Sequence, residues 1–143
     1  MPTVVRTAEV AYSAAQMFTL VNDIEAYPDF LHWCRGARVS HRSDSEVEAT
    51  LDVGFGGIHK SFSTRNTLAA PHSIHLELIS GPFRSLNGQW TFRDLEDGGC
   101  RVALSLSFEV PRSPFGLIFS RVFEEIARSQ MGAFLRRAKA VYG

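Results

Sequence analysis

The sequence predicts an α+β domain of helix-grip type. Its parts are a curved antiparallel sheet of about six to seven strands around a long C-terminal helix, with two short helices after strand 1. Three observations carry that expectation. From about Ala37 to Val110, apolar and polar residues alternate, the period of strands with one buried face. Turn signals such as Glu96-Asp97-Gly98-Gly99 join neighbouring runs as hairpins, which makes the strands antiparallel. From Ser113 to Tyr142 the apolar spacing changes to three and four residues, the stripe of a helix buried on one side.

Each element has its own signal. Thr3-Val4-Val5-Arg6-Thr7-Ala8-Glu9-Val10 reads as the first strand. Ser13 precedes a short apolar helix over Ala14–Val21 as its N-cap, and Gln16 stands at the capping-box position. Glu25 to Leu31 reads as a second short helix with Pro28 in its first turn. Val47, Ala49, Leu51, Val53 and Phe55 then point one way, against Glu46, Glu48, Thr50 and Asp52. The glycines around Phe55 make a turn, and Ile58 to Leu68 follows as a strand. Ala70-Pro71 turns the chain again, before Ser73 to Ile79, Asn87 to Leu95 and Cys100 to Val110. Ser113-Pro114 starts the last helix, whose stripe runs from Phe115, Ile118, Phe119 and Val122 through Phe123, Ile126, Ala127 and Met131 to Phe134, Ala138 and Val141. At about 30 residues it spans roughly 45 Å and is the element long enough to cover the apolar face of the sheet. Gly132 interrupts it, and either close packing or a bend accounts for a glycine there.

The length of 143 residues suits a single domain over 1–143, and 45% hydrophobic residues suffice for a sizeable core. Lysine plus arginine balance aspartate plus glutamate at 15 each, so no basic excess points to nucleic acid. The Arg136-Arg137-Lys139 cluster suits a helix C-terminus. Cys34 and Cys100 follow no metal-ligand spacing and read as reduced, buried thiols. No window is long and apolar enough for a membrane span or signal sequence, so the expectation is a cytoplasmic protein, able to sit peripherally at the inner membrane.

No catalytic motif emerges. His32, His41, His59, His72 and His75 form no metal-ligand pair, and the Gly54-Phe55-Gly56-Gly57 run lacks the context of a phosphate loop. No acid–base carboxylate pair is placed to converge. The expectation is no catalytic residue, no metal and no cofactor. The unusual positions lie on the strand Ile58 to Leu68, where the inward face carries Lys60, Thr64 and Asn66 beside Ile58, Phe62 and Leu68. Buried polar groups are costly unless paired. They either bond to nearby backbone at an open end or supply the few polar contacts of an apolar pocket.

Four stretches, read in order, carry a resemblance. They are Val21 to Cys34, which contains Tyr27-Pro28-Asp29-Phe30-Leu31 and Trp33-Cys34; Phe62-Ser63-Thr64-Arg65-Asn66; Gly81 to Phe92, which opens Gly-Pro-Phe; and Phe134 to Tyr142. The chain resembles the coenzyme Q-binding protein and ribosome association toxin family, within the START-like polyketide cyclase superfamily. The resemblance implies a hydrophobic cavity that binds ubiquinone or a related polyprenyl quinone without catalysis, in support of respiration or quinone biosynthesis. On that reading Val47, Leu51, Val53, Phe62, Thr64, Asn66, Trp90, Phe119, Val122 and Ile126 line the cavity. Tyr27, Pro28, Phe30 and Trp33 form a mouth that touches the membrane. The same kinship implies two alternatives: a ribosomal subunit as partner, with inhibition of subunit joining, or a cyclase/aromatase-type enzyme. DNA is not an expected partner.

Overall fold

The structure, a computed structural model, describes residues 2–143. Seven strands form one sheet: β1 (Thr3–Val10), β2 (Cys34–Arg42), β3 (Glu46–Phe55), β4 (Ile58–Ala69), β5 (Ser73–Ser80), β6 (Ser85–Asp94) and β7 (Cys100–Glu109). Helix α1 (Ala14–Asn22) and a 3-10 helix (Ile24–Asp29) separate β1 from β2, and α2 (Pro114–Tyr142) closes the chain. The sheet order is β1-β7-β6-β5-β4-β3-β2, with every neighbouring pair antiparallel. Six strands therefore follow one another as a meander. Strand β1 returns to the far edge, where Thr3 pairs with Ser107 and Val10 with Cys100.

Local chemistry sets the joints. Gly56 and Gly57, with φ of 58° and 82°, make the two-residue turn between β3 and β4, a conformation that suits glycine. Asp97 Oδ1 accepts from the Gly99 N–H at 2.9 Å in the β6–β7 loop. The capping box of α1 is formed in both directions: Ser13 Oγ accepts from the Gln16 N–H at 3.1 Å, and Gln16 Oε1 from the Ser13 N–H at 2.8 Å. On α2, Ser113 Oγ accepts from the Gly116 N–H at 2.9 Å. Pro28 sits inside the 3-10 helix.

The core lies between the sheet and the helices. Strand β7 shows the period of two: Val102, Leu104, Leu106 and Phe108 are buried, while Arg101, Ser105 and Glu109 on the other face are exposed. Helix α1 covers one end of β6 and β7, with Phe18 edge-on to Phe92 at 5.8 Å. The C-terminal end of α2 is tied to α1, because the Tyr142 hydroxyl donates to the Gln16 carbonyl at 2.8 Å.

The buried stripe of α2 is shorter than its sequence pattern. Phe119, Phe123, Ile126, Ala127, Met131, Phe134 and Ala138 are buried. Phe115, Ile118 and Val141, placed on the stripe by spacing, are 40%, 54% and 50% exposed. Periodicity identifies a face but not where along the helix the covering sheet stops. Close packing does not account for Gly132, since a Cβ there would meet only Arg136 Nη1, at 3.4 Å. Helix α2 nevertheless runs unbroken through it.

Candidate functional site

Between the sheet and α2 lies a cavity of about 80 Å³. The sheet contributes Ala49 and Leu51 from β3, Phe62, Thr64 and Asn66 from β4, and Ile74 and Leu76 from β5. Leu86 and Trp90 of β6 and Leu104 and Leu106 of β7 complete the floor. Helix α2 roofs it with Phe123, Ile126, Ala127 and Gln130, and Tyr27 and Trp33 close one side.

Missing side-chain volume explains why a void persists here. Ala49 and Ala127 stand on its two walls. Gly88 occupies an inward position of β6 between Leu86 and Trp90. A Cβ at Gly88 would lie 3.0 Å from the Ser105 carbonyl and 3.4 Å from Leu76 Cδ1 and would run into the Leu106 side chain, so its place is already filled by neighbours and only the alanines leave space in the walls. Rings close both ends of the void. At one end Phe83 packs edge-on to Phe62, Phe119 and Phe123, with centroids 5.6, 5.2 and 4.8 Å apart. At the other, Phe134 meets Tyr27, Phe30 and Trp90 at 5.3, 5.2 and 5.2 Å.

The cavity is apolar with a few neutral polar groups. Asn66 is 5% exposed and is the one polar side chain in the buried class among the described residues. The Thr64 hydroxyl, two residues away on the same face of β4, donates to Asn66 Oδ1 at 2.8 Å. Trp33 Nε1–H donates to Gln130 Oε1 at 3.3 Å. Both carboxamides thus use their oxygens within the protein, and neither amide nitrogen has a partner among the described residues. The Tyr27 hydroxyl donates to the Val21 carbonyl. Burial first, then the proximity of Cys34 and Asp23, drives its pKa far above the usual phenol range, so it stays neutral. Among the described residues no carboxylate, lysine, arginine or histidine lines the wall. Such a site suits a neutral, largely apolar ligand that offers hydrogen-bond acceptors.

Of the residues expected to line a cavity, Leu51, Phe62, Thr64, Asn66, Trp90 and Ile126 do so, and Val47, Val53, Phe119 and Val122 do not. Val47 and Val53 face inward but lie near the ends of β3, where they are packed solid at 0% and 2% exposure. Phe119 belongs to the ring cluster beyond the void, stacked on Phe115 and Phe123 at 6.0 Å each. Val122 is half-buried beside the Gly56 turn. The expected mouth also needs correction. Tyr27 and Trp33 are 7% and 3% exposed and form an inner wall. Phe30 is half-buried against Phe134, with the Arg137 guanidinium 5.0 Å over its ring. Pro28 alone of the four is exposed. Lys60, expected on the inner face, is exposed at the end of the sheet, its ammonium 5.1 Å from the Phe115 ring centre.

Gln130 was not anticipated. Its signal was present: four residues after Ile126 and four before Phe134, it is a polar side chain on the buried stripe of a helix.

Among the described residues no group of three His, Cys, Asp or Glu could hold a metal ion. Cys34 and Cys100 are separate, buried free thiols, and burial pushes each up to about 11. They are protonated at neutral pH and poor nucleophiles. No helix among the described residues is long and apolar enough to cross a membrane.

Comparison with known proteins places these features in a family. Residues 10–136 match the family model described as polyketide cyclase/dehydrase and lipid transport. The ribosome association toxin RatA of Escherichia coli strain K12 is 44% identical over 142 residues, which cover 99% of this chain and 90% of the toxin. A mitochondrial coenzyme Q-binding protein, COQ10 homolog B of Xenopus laevis, is 25% identical over 138 residues, covering 94% of this chain and 57% of that protein. A START superfamily protein from Mycobacterium smegmatis has the same fold, with a TM-score of 0.81 at 25% identity over 97% of this chain and 98% of its own.

Proposed function

Since the chain belongs to the polyketide cyclase/dehydrase and lipid transport family, we propose that it is a non-enzymatic carrier of a hydrophobic ligand, most plainly ubiquinone or a related polyprenyl quinone. One observation carries the reading: an apolar cavity in which Asn66 and Gln130 each present an amide nitrogen without a protein partner. A quinone ring offers two carbonyl acceptors to such donors, and its isoprenoid tail suits the Leu51, Leu76, Leu104 and Leu106 wall. The wall lacks an acid–base pair, which supports carriage over cyclisation.

The volume sets a condition. At about 80 Å³ the cavity is well below the roughly 300–1,000 Å³ of ligand sites. Loading therefore requires α2 or a ring plug to move outward. Organic extraction and native mass spectrometry of purified protein test the reading. A co-purifying quinone, together with a rise in melting temperature on adding quinone, is expected. Repeated absence of lipid and an unchanged melting temperature would sink it.

A second reading is a ribosome-directed inhibitor of subunit joining. It is favoured by sequence likeness, which is higher to the ribosome association toxin, at 44%, than to the coenzyme Q-binding protein, at 25%. The balanced charge supports it less. Sucrose-gradient profiles under overexpression test it: accumulation of free subunits is expected, and an unaltered profile refutes it.

A further inference from the structure

We infer that the first two turns of α2 are a docking surface for an anionic phospholipid bilayer, built from Phe115, Leu117 and Ile118 and framed by Lys60, Arg112 and Arg121. The three apolar side chains are 40%, 65% and 54% exposed, and all three lie within four residues of one another. At about 100° per residue they span an arc of roughly 160°, with Leu117 and Ile118 on the side of the helix away from Phe119 and Phe123 and Phe115 at the edge next to Phe119. Single exposed apolar residues are ordinary, but three adjacent ones on one helix face form a patch.

Charge identifies the occupant. The segment Pro111–Phe123 contains Arg112 and Arg121 and no acidic residue. Lys60 reaches the same place from β4, with its ammonium over the Phe115 ring. None of these three cations has an ion-pair partner among the described residues, whereas Glu109 and Glu124 are matched to Arg84 and Arg128 at 3.4 and 2.8 Å. The first acids of the helix, Glu124 and Glu125, come six residues after Ile118 or later, about 9 Å further along the axis. An apolar tip with unpaired cations around it, and the helix's own acids set back by that depth, matches a segment that sinks roughly 5–10 Å into a headgroup layer. A ribosomal RNA surface would use the cations but leave Phe115, Leu117 and Ile118 without a role.

The patch also adjoins the cavity. Phe115, Phe119 and Phe123 stack along α2 with centroid spacings of 6.0 Å, from the exposed patch to the cavity wall. A lipid-embedded tip therefore places the Phe83 ring plug at the bilayer surface. This last step rests on the carrier reading; the docking itself does not.

Co-sedimentation with phosphatidylcholine vesicles, with and without phosphatidylglycerol, tests the inference. The wild-type chain is expected to pellet with the phosphatidylglycerol vesicles and to release as ionic strength rises. The double variant Leu117→Glu/Ile118→Glu should bind roughly tenfold more weakly or worse. Val141→Glu, at a 50% exposed position on the far end of α2, should bind as wild type does. Arg112→Gln/Arg121→Gln should lose the preference for anionic vesicles. Circular dichroism checks that each variant is folded, and Leu117→Ser/Ile118→Ser takes the place of the glutamate pair where that pair unfolds the chain. Wild-type protein that ignores anionic vesicles overturns the inference, as does equal binding by the patch variant and Val141→Glu. So does capture of ribosomal subunits that needs the patch when vesicles are not bound. The lipid content of the purified protein, scored separately, reports on the cavity alone.

Discussion

Replacing Asn66 by leucine separates a ligand-contacting role from a structural one. If Asn66 holds β4 in place, the substitution destabilises the protein. If it serves a ligand, the empty protein gains or loses little. The structure sets the size of each term. The substitution removes one internal hydrogen bond, from the Thr64 hydroxyl, which is worth about 1 kcal/mol. Thr64 is only half-buried, so its hydroxyl can turn elsewhere. Against this, a carboxamide whose amide nitrogen lacks a protein partner leaves an apolar wall, a gain of about 1–3 kcal/mol. The net expectation is a gain of about 0–2 kcal/mol, or a melting temperature up to roughly 8 °C higher at about 3–4 °C per kcal/mol. Urea unfolding with the slope held constant measures the first quantity, and a thermal scan the second. The quinone-induced shift in melting temperature should shrink in the same variant, consistent with affinity roughly tenfold lower. A loss of more than about 2 kcal/mol with quinone response retained would refute the reasoning.

Ala127→Leu fills the cavity from its roof; recovering about 80 Å³ at about 24 cal/mol per Å³ should stabilise the empty protein by up to about 2 kcal/mol and abolish quinone uptake, both read by thermal shift. Gly132→Ala meets no obstacle closer than 3.4 Å, so it should stabilise by about 1 kcal/mol in urea unfolding and, if α2 flexes there to load, slow ligand uptake in stopped flow. Cys34 and Cys100 should resist a thiol reagent in native protein at neutral pH. Their pKa values of about 11, raised from 9.0, mean that the unfolded chain releases these protons first as pH rises, so stability should fall between about pH 9 and 11 and not below. Native labelling as fast as in denaturant, or a flat stability curve across that range in wild type, would contradict this.

Much of the fold was legible because it rests on local rules. The period of two along β7 and the reciprocal cap of Ser13 and Gln16 are written in adjacent residues. The site was legible only in part. Alternation tells which way Val47, Ala49, Leu51 and Val53 point but not how far each lies from a void, so the two valines near the ends of β3 were indistinguishable from Leu51 at its centre. The void itself is bordered by Ala49 and Ala127, whose short side chains leave it unfilled, and absent side chains are weak signals in a sequence. Tyr27 and Trp33 sit in and beside a 3-10 helix too short to show a period, so their burial had no pattern to announce it. Conversely, the stripe of α2 continues through Phe115 and Ile118 past the point where the sheet covers it.

The return of β1 to the edge of β7 has a consequence for biosynthesis. Thr3 faces Ser107, 104 residues later in the chain. During translation at about 5–20 residues per second, β1 waits on the order of 5–20 s before its partner exists. The roof, α2, emerges later still. The nascent chain therefore cannot enclose anything until it is nearly finished, and its apolar strands are exposed in the meantime. Chains cut short before β7 should be prone to aggregation.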